Sequence, residues 1–264
     1  MEKNHYSKFR KKTNILLTAE HASPRIPKRY RNLGLSKKDC QGAKDLYDPG
    51  SLSVMRILEK ESRASYLHSN ISRLVIDCNR ALDGKNNNKN TFHSGAMKKE
   101  ILVERGGRED LVGIPSNQFS SEKGFIQEEK RRHEKFSMPY QEEGKKIIEK
   151  IKRFHGRAII ISIHSFYPVY NGNKRMVDIG ILYDNSRKIG KKAIRYLRER
   201  TDLVVGDNSP WKMSDADGGA FGKMQGCQGV ELLAFDINNK NLKTKKGVKK
   251  VSRLILEVMD RITE

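Results

Sequence analysis

The chain has 264 residues, enough for one large domain or two small ones, and its hydrophobic content of 36% is compatible with a soluble globular protein. No apolar run approaches the roughly 20 residues needed to span a bilayer, and no apolar segment follows the basic N-terminus, so we expect neither a membrane span nor a signal peptide. The 53 basic and 32 acidic residues give a net charge of +21, which attracts polyanions of any kind.

Charge distribution and cysteine usage indicate the setting in which the protein works. Lysines are spread along the chain, and aromatic residues are not interleaved with them as they are on a base-stacking surface. A solvated basic surface is therefore the simpler interpretation, and we do not expect nucleic acid as the main partner. The three cysteines, Cys40, Cys78 and Cys227, are odd in number and form no CxxC pair, which favours a reducing, cytoplasmic setting.

Short β-rich runs alternate with helical patterns along the chain. Strands are predicted at 15–20, 65–69, 74–78, 158–165, 177–183, 203–206 and 230–235, and helices at about 50–63, 121–153, 185–200 and 247–263. Several strands are continuously apolar, as in a sheet covered on both faces. The pattern predicts an α/β fold: one domain over residues 1–264, with a basic N-terminal extension at 1–12 and a mixed, mostly parallel central sheet flanked by helices on both faces.

Two histidines each follow a strongly apolar run. His21 comes after ILLTAE, and His164 comes after IIISI, with prolines close behind both. A single histidine in such a place is more often a hydrogen-bonded structural residue than a ligand. Two of them at the carboxyl ends of buried strands favour a site, because ligands of α/β sheets usually bind at that edge. Neutral imidazoles converging there suit Zn²⁺, which also takes a carboxylate and keeps one position open for water.

The sequence offers two candidates for the carboxylate ligand, Glu20 and Asp48. Asp48 lies in LYDPGS just before a predicted helix, where it could also be a helix cap or turn residue. Glu20 adjoins His21, and neighbouring residues of a strand point to opposite faces. We therefore prefer Asp48 as the ligand that would join the two histidines.

The segment SNISRLVIDCNR, residues 69–80, carries a possible anion site. Arg73 precedes a predicted strand, and Asn79 and Arg80 follow it. These could be ordinary surface side chains. At the carboxyl end of a strand, however, a guanidinium can bind a substrate carboxylate with two hydrogen bonds, and an amide adds a further donor. Asp77, if buried within the strand, needs a partner such as an arginine.

A further carboxylate, Glu231, lies in the apolar run GVELLAFD. A carboxylate in apolar surroundings has a raised pKa and can relay protons. A structural salt bridge to one of the many basic residues is an equally good interpretation from the residues alone.

Taken together, these segments resemble the N-formylglutamate amidohydrolase family. The matching pieces run in the family's order over roughly residues 14 to 240 and include TAEHASPRIP, YDPGS, SRLVIDCNR, HSFYPVYNG, DIGILYD and VELLAFD. The resemblance implies a fold similar to that of zinc-dependent exopeptidases, with the metal at the strand ends. It also implies a small acidic N-acyl amino acid, such as N-formyl-L-glutamate, as substrate.

Matched by position, the resemblance implies a role for each candidate residue. His21, Asp48 and His164 would bind zinc, and Glu231 would be the general base. The substrate carboxylates would be held by Arg73, Asn79 and Arg80. One departure follows Glu231, where the family's usual Arg-Gln-Asp-Leu is replaced by residues 234–237, Ala-Phe-Asp-Ile.

Two alternatives remain beside this interpretation. The departure after the general base favours considering a related zinc amidase or peptidase that acts on another acyl amino acid or on a peptide. The high positive charge is compatible with a basic nucleic-acid-binding protein that has lost catalysis, which would show steep salt dependence and no stoichiometric metal.

Overall fold

A computed structural model describes residues 3–80, 100–213, 220–224 and 227–264. Its strands are β1 His5–Lys8, β2 Ile15–Ala19, β3 Ser65–Ser69, β4 Ile101–Arg105, β5 Arg108–Val112, β6 Ala158–Phe166, β7 Val169–Tyr170, β8 Asn173–Lys174, β9 Ile179–Leu182, β10 Val205–Asp207 and β11 Val230–Asn238. Its α-helices are α1 Lys37–Gly42, α2 Ser51–Ser62, α3 Glu122–Arg132, α4 Met138–His155, α5 Arg187–Arg200 and α6 Lys245–Thr263. Within these ranges, no helix combines the length and apolarity that a membrane crossing requires.

Seven strands form the central sheet in the order β1-β3-β2-β6-β11-β9-β10. The pairings of β2 with β3, of β2 with β6, of β6 with β11 and of β9 with β10 are parallel, and the other two are antiparallel. The predicted mixed, mostly parallel α/β sheet is therefore confirmed. Every residue of the central strand β6 is buried, in agreement with its predominantly apolar sequence.

Helices cover both faces of this sheet. Apolar side chains of α2, α5 and α6 pack on one face, where the helical stripe of α6 includes Val251, Ile255 and Val258. On the other face, α4 contributes Tyr140 and Ile148 to a second core. The two cores bury the sheet and leave its strand ends as the places where polar side chains can gather.

Three predicted elements differ from the structure. Residues 74–78 are not a strand: Val75 donates a hydrogen bond to the Ser72 carbonyl in a turn, and Arg132 donates to the Val75 carbonyl. This apolar run is a buried loop whose backbone is satisfied partly by side chains. The long helix at 121–153 is divided by a π-helical segment, His133–Ser137. The N-terminal extension is not separate from the sheet, because residues 5–8 form its edge strand β1.

Candidate metal and active site

Three neighbouring parallel strands bring polar residues to one edge of the sheet. His21 comes two residues after the end of β2, His164 lies near the end of β6, and Asp236 lies near the end of β11. In the β6–β11 pairing, His164 and Asp236 are direct cross-strand neighbours. These residues line a cavity of about 200 Å³. The position agrees with the rule that α/β sheets bind ligands beyond the carboxyl ends of their strands.

The predicted metal ligands come together in this cavity. One potential ligand atom each from His21, Asp48 and His164 lies within 4.8 Å of the other two, and all three residues are buried. Asp48 Oδ2 lies 3.0 Å from Nδ1 of His164 and 3.5 Å from Nδ1 of His21. The structure therefore groups the two histidines with Asp48, the carboxylate preferred from the sequence.

Local backbone contacts hold Asp48 in this position. Its N–H donates to the His21 carbonyl at 2.9 Å, so the loop before α2 is tied to the end of β2. Its Oδ2 accepts a hydrogen bond from the Ser165 N–H at 3.2 Å. Gly50, which follows two residues later with a φ of +88°, caps α2 in the left-handed conformation, and a Cβ there would lie 2.7 Å from Leu242. Asp48 is thus a site residue and not the cap of the helix.

In each histidine, Nδ1 faces Asp48, and the other ring nitrogen, Nε2, contacts a second group of residues. Nε2 of His21 lies 2.7 Å from Oδ1 of Asp77, and Nε2 of His164 lies 2.9 Å from Ser162 Oγ and 3.3 Å from Glu20 Oε2. Outer-shell carboxylates of this kind fix the orientation of metal-ligating imidazoles. Glu20 therefore contacts the side of His164 that faces away from Asp48. The buried Asp77 is paired with His21.

The donor set and one unsatisfied atom fit a divalent metal. Nδ1 of His21 is buried and has no hydrogen-bond partner among the described residues. Leaving such an atom unmatched is costly, and a metal ion beside Asp48 and His164 would satisfy it. Two imidazoles and one carboxylate form the protein ligand set of several catalytic zinc sites. The residues present thus fit the metal that the sequence predicts.

The electrostatics of the cluster favour charged carboxylates beside protonated histidines when no metal is bound. Burial alone would raise the pKa of Glu20, but hydrogen bonds with His164 and Ser162 lower it to about 2. Burial alone would lower the pKa of His164, but its hydrogen bonds with Asp48 and Glu20 raise it well above its usual value. A bound divalent cation would supply, next to the same carboxylates, the positive charge that the protonated histidines supply without it.

The three residues predicted to bind substrate carboxylates also line the cavity. Arg73 lies 3.7 Å from Asp48 and 3.5 Å from Asp77, so it also pairs with the predicted metal ligand Asp48 and with the carboxylate behind His21. The Asn79 side-chain oxygen accepts a hydrogen bond from the Ala220 N–H at 2.8 Å. The backbone carbonyl of Arg80 accepts one from the Gln141 amide at 2.9 Å. These contacts place the proposed anion-binding segment against the wall of the cavity.

The structure does not bring Glu231 to this site, which corrects the placement expected from the sequence. Glu231 lies at the start of β11, opposite Ile159 at the start of β6 and five residues before Asp236. Its carboxylate lies 3.6 Å from the guanidinium of Arg157, and its side chain is 28% exposed. Because parallel strands place their two ends at opposite edges of the sheet, the early position of Glu231 puts it at the amino edge. The salt-bridge interpretation is the one that the structure supports.

Asp236 is the site carboxylate that the sequence reasoning missed. It lines the cavity, is 4% exposed, and accepts a 2.7 Å hydrogen bond from Trp211 Nε1. Burial raises the pKa of Asp236, and the negative charge of Asp48 raises it further, although His164 and the Trp211 hydrogen bond act in the opposite direction. The signal was present in the sequence: Asp236 follows an apolar run as His21 and His164 do.

Comparisons with known proteins agree with this geometry. The family model described as N-formylglutamate amidohydrolase matches residues 13–241. The structure of gene product Atu2144 from Agrobacterium tumefaciens is 26% identical in sequence, covers 99% of this chain and 95% of its own, and superposes with a TM-score of 0.78. N-formylglutamate amidohydrolase from Ralstonia eutropha JMP134 shares the fold at 15% identity and a TM-score of 0.64, covering 98% of this chain and 96% of its own. No curated protein matches the sequence.

The match to the family model extends over most of the chain, and it includes all three predicted metal ligands. Together with the arrangement at the carboxyl edge of the sheet, it supports an amidohydrolase. This protein belongs to the N-formylglutamate amidohydrolase family.

Proposed function

We propose that this protein is a zinc-dependent amidohydrolase that cleaves the amide bond of a small N-acyl amino acid, and that residues 1–264 act as one catalytic domain. The observation that carries the proposal is the buried group of His21, Asp48 and His164, whose potential ligand atoms lie within 4.8 Å of one another beside Asp236 and Arg80 in one cavity. The odd number of cysteines supports a cytoplasmic setting.

His21, Asp48 and His164 would hold the metal, with Asp77 and Glu20 orienting the two imidazoles from behind. When bound, the metal would polarise the scissile carbonyl and lower the pKa of water toward about 7. The buried cluster would also keep bulk solvent away from the reacting groups.

Asp236 is the best-placed general base among the described residues. As a carboxylate, it would take a proton from the attacking water while the water oxygen bonds to the carbonyl carbon. When the carbon–nitrogen bond breaks, Asp236 would return that proton to the departing amine. Its raised pKa suits the task, because a base of the usual aspartate pKa returns a proton less readily. The hydrogen bond from Trp211 orients the carboxylate toward the cavity.

Arg80 and Asn79 would hold a carboxylate of the substrate, and Arg73 would add positive charge to the wall of the cavity. Fixing the carboxylate places the amide beside the water and makes the attack effectively unimolecular. The same arginines would attract anionic substrates from solution.

Elemental analysis combined with an amidase assay tests the proposal. The purified full chain is expected to hold one zinc ion per chain and to hydrolyse at least one N-acyl amino acid from a panel that includes N-formyl-L-glutamate. A chelator should abolish turnover, and added zinc should restore it. Absence of stoichiometric metal, or absence of hydrolysis by metal-replete protein, would contradict the proposal. Salt-sensitive DNA or RNA binding by such a protein would instead favour the basic binding protein.

A further inference from the structure

The cavity at the carboxyl edge has two chemically different sides. One side carries the buried histidines and carboxylates. The other, which we call the apolar side, is lined by Leu182, Met213, Phe221, Leu232 and Ala234. None of these five residues is more than 5% exposed to solvent. A substrate that fills the cavity therefore meets ionic groups at one end and hydrocarbon at the other.

Strand geometry places the apolar side directly beside Asp236. Side chains alternate along a strand, so Leu232, Ala234 and Asp236 share one face of β11, with steps of roughly 7 Å between them. Leu182 of the neighbouring strand β9 is the cross-strand partner of Ala234. Trp211, whose indole N–H donates a hydrogen bond to Asp236, lies between the ionic side and the apolar side. A group attached close to the scissile amide would thus reach the hydrocarbon surface.

In the part of the chain that the structure describes, the basic groups of the cavity lie on one side only. Among the described residues that line it, Arg73 and Arg80 are the arginines, and no lysine is present. Both arginines belong to the segment that follows β3, whereas Leu182, Leu232 and Ala234 of the apolar side lie on β9 and β11. In the sheet, β2 and β6 separate these two strands from β3. A carboxylate on the apolar side would lose its hydration without gaining a partner there. An aliphatic or aromatic group would gain from the same burial.

We propose that the preferred substrate is an N-acyl amino acid with one carboxylate near Arg80 and an aliphatic or aromatic group on the apolar side, rather than N-formyl-L-glutamate itself. The inference rests on the proposed function, because amide hydrolysis defines which bond of the substrate is cleaved. The apolar group can belong to the amino-acid side chain or to the acyl chain. Both present the same chemistry to Leu232 and Ala234, and the experiment separates them.

Three ligands provide the test: N-formyl-L-glutamate, N-formyl-L-leucine with an apolar side chain, and N-hexanoylglycine with an apolar acyl group; each of the last two has one carboxylate. Rates are measured with the metal-replete full chain, and dissociation constants are measured by calorimetry with the metal-free full chain. At least one apolar ligand is expected to exceed N-formyl-L-glutamate roughly tenfold or more in kcat/KM and in affinity. The better of the two identifies which part of the substrate occupies the apolar side.

Adjacent leucines of β11 provide a matched pair of variants. Leu232→Ala removes hydrocarbon from the apolar side, whereas Leu233→Ala removes the same atoms from the opposite face, which packs against helices. Only Leu232→Ala is expected to reduce the preference for the apolar ligand. If Leu232→Ala does not fold, the wild-type panel decides alone.

The outcomes distinguish this inference from the proposed function. Equal or better binding and turnover of N-formyl-L-glutamate would overturn the inference and leave amide hydrolysis standing. Tighter binding of an apolar ligand without hydrolysis of any ligand would support the inference and contradict the proposed reaction. An equal loss of preference in Leu232→Ala and Leu233→Ala would count against a direct contact with the apolar side.

Discussion

The two edges of the central sheet carry depressions of opposite character. The amino-edge depression, lined in part by His155 and Arg157, has a volume of about 440 Å³ and is larger than the carboxyl-edge cavity of about 200 Å³. His155 is exposed and lies 3.0 Å from the Lys11 carbonyl, and Arg157 donates to the Thr263 carbonyl and pairs with Glu231. At the carboxyl edge, by contrast, buried ionisable groups converge. Convergence of buried charge, and not volume, marks the edge suited to chemistry.

The largest contrast between the edges should appear in metal binding. His21→Ala and His164→Ala are each expected to abolish zinc retention, because each removes one of the three proposed ligands. His155→Ala, at the amino edge, should retain the wild-type zinc content. Elemental analysis after gel filtration gives the ratio of metal to chain. Wild-type zinc content in both site variants would show that these histidines are not ligands.

A second metal experiment distinguishes two carboxylates at the carboxyl edge: Asp48, the proposed ligand, and Glu20, which lies behind His164. Asp48→Ala should lose zinc, whereas Glu20→Ala should retain it with an affinity weakened about 10- to 100-fold, as is typical of outer-shell partners. Competition with a chelator of known affinity measures both. The reverse ranking would make Glu20 the ligand and Asp48 the supporting residue.

Asp236 and Glu231 lie on the same strand, β11, but at opposite edges of the sheet, so variants of the two residues compare the edges directly. Asp236→Asn should lower kcat/KM by about 10²- to 10⁴-fold, since general-base catalysis contributes that much, while zinc content stays unchanged. Glu231→Gln should leave kcat/KM near the wild-type value. Its salt bridge is partly exposed, so its loss should cost no more than about 1 kcal/mol of unfolding free energy. A large kinetic effect of Glu231→Gln together with a small effect of Asp236→Asn would reverse the assignment.

The smallest contrast concerns two arginines, one at each edge. Arg80→Lys keeps the charge but loses the planar, two-pronged geometry, so kcat/KM for free-carboxylate substrates should fall about 10- to 100-fold. The loss should shrink for the same substrate amidated at that carboxylate. Arg157→Lys should affect neither substrate. Equal losses on the acid and the amide would show that Arg80 has a structural role and does not bind the carboxylate.

Much of the site could be predicted because burial leaves a strong pattern in sequence. The runs before His21 and His164 are predominantly apolar because β2 and β6 are covered on both faces, and a polar residue after such a run indicates that the end of the strand is near. Parallel strands then bring those ends to one edge. The α/β class and the pairing of two histidines with Asp48 follow from these local features.

The general base could not be assigned in the same way, because the two ends of one strand lie at opposite edges of the sheet. VELLAFD contains carboxylates at both ends, and sequence alone does not say which end reaches the cavity. The register of β11 against β6 decides it, by pairing Asp236 with His164 and Glu231 with Ile159. A shift of five residues along a strand amounts to roughly 17 Å, the difference between an active-site residue and a surface salt bridge.

The sequence by itself thus determined six of the seven strands of the central sheet, its covered faces and the histidines at its edge, because burial and periodicity are local properties of a chain. Only the tertiary structure decided which of two carboxylates faces His164, that residues 74–78 form a buried loop, and that hydrocarbon lines one side of the cavity. Each of these depends on partners distant in sequence: Arg132 donates to the carbonyl of Val75, and β9 places Leu182 beside Ala234. Contacts of that kind exist only once the strands have paired and the helices have packed.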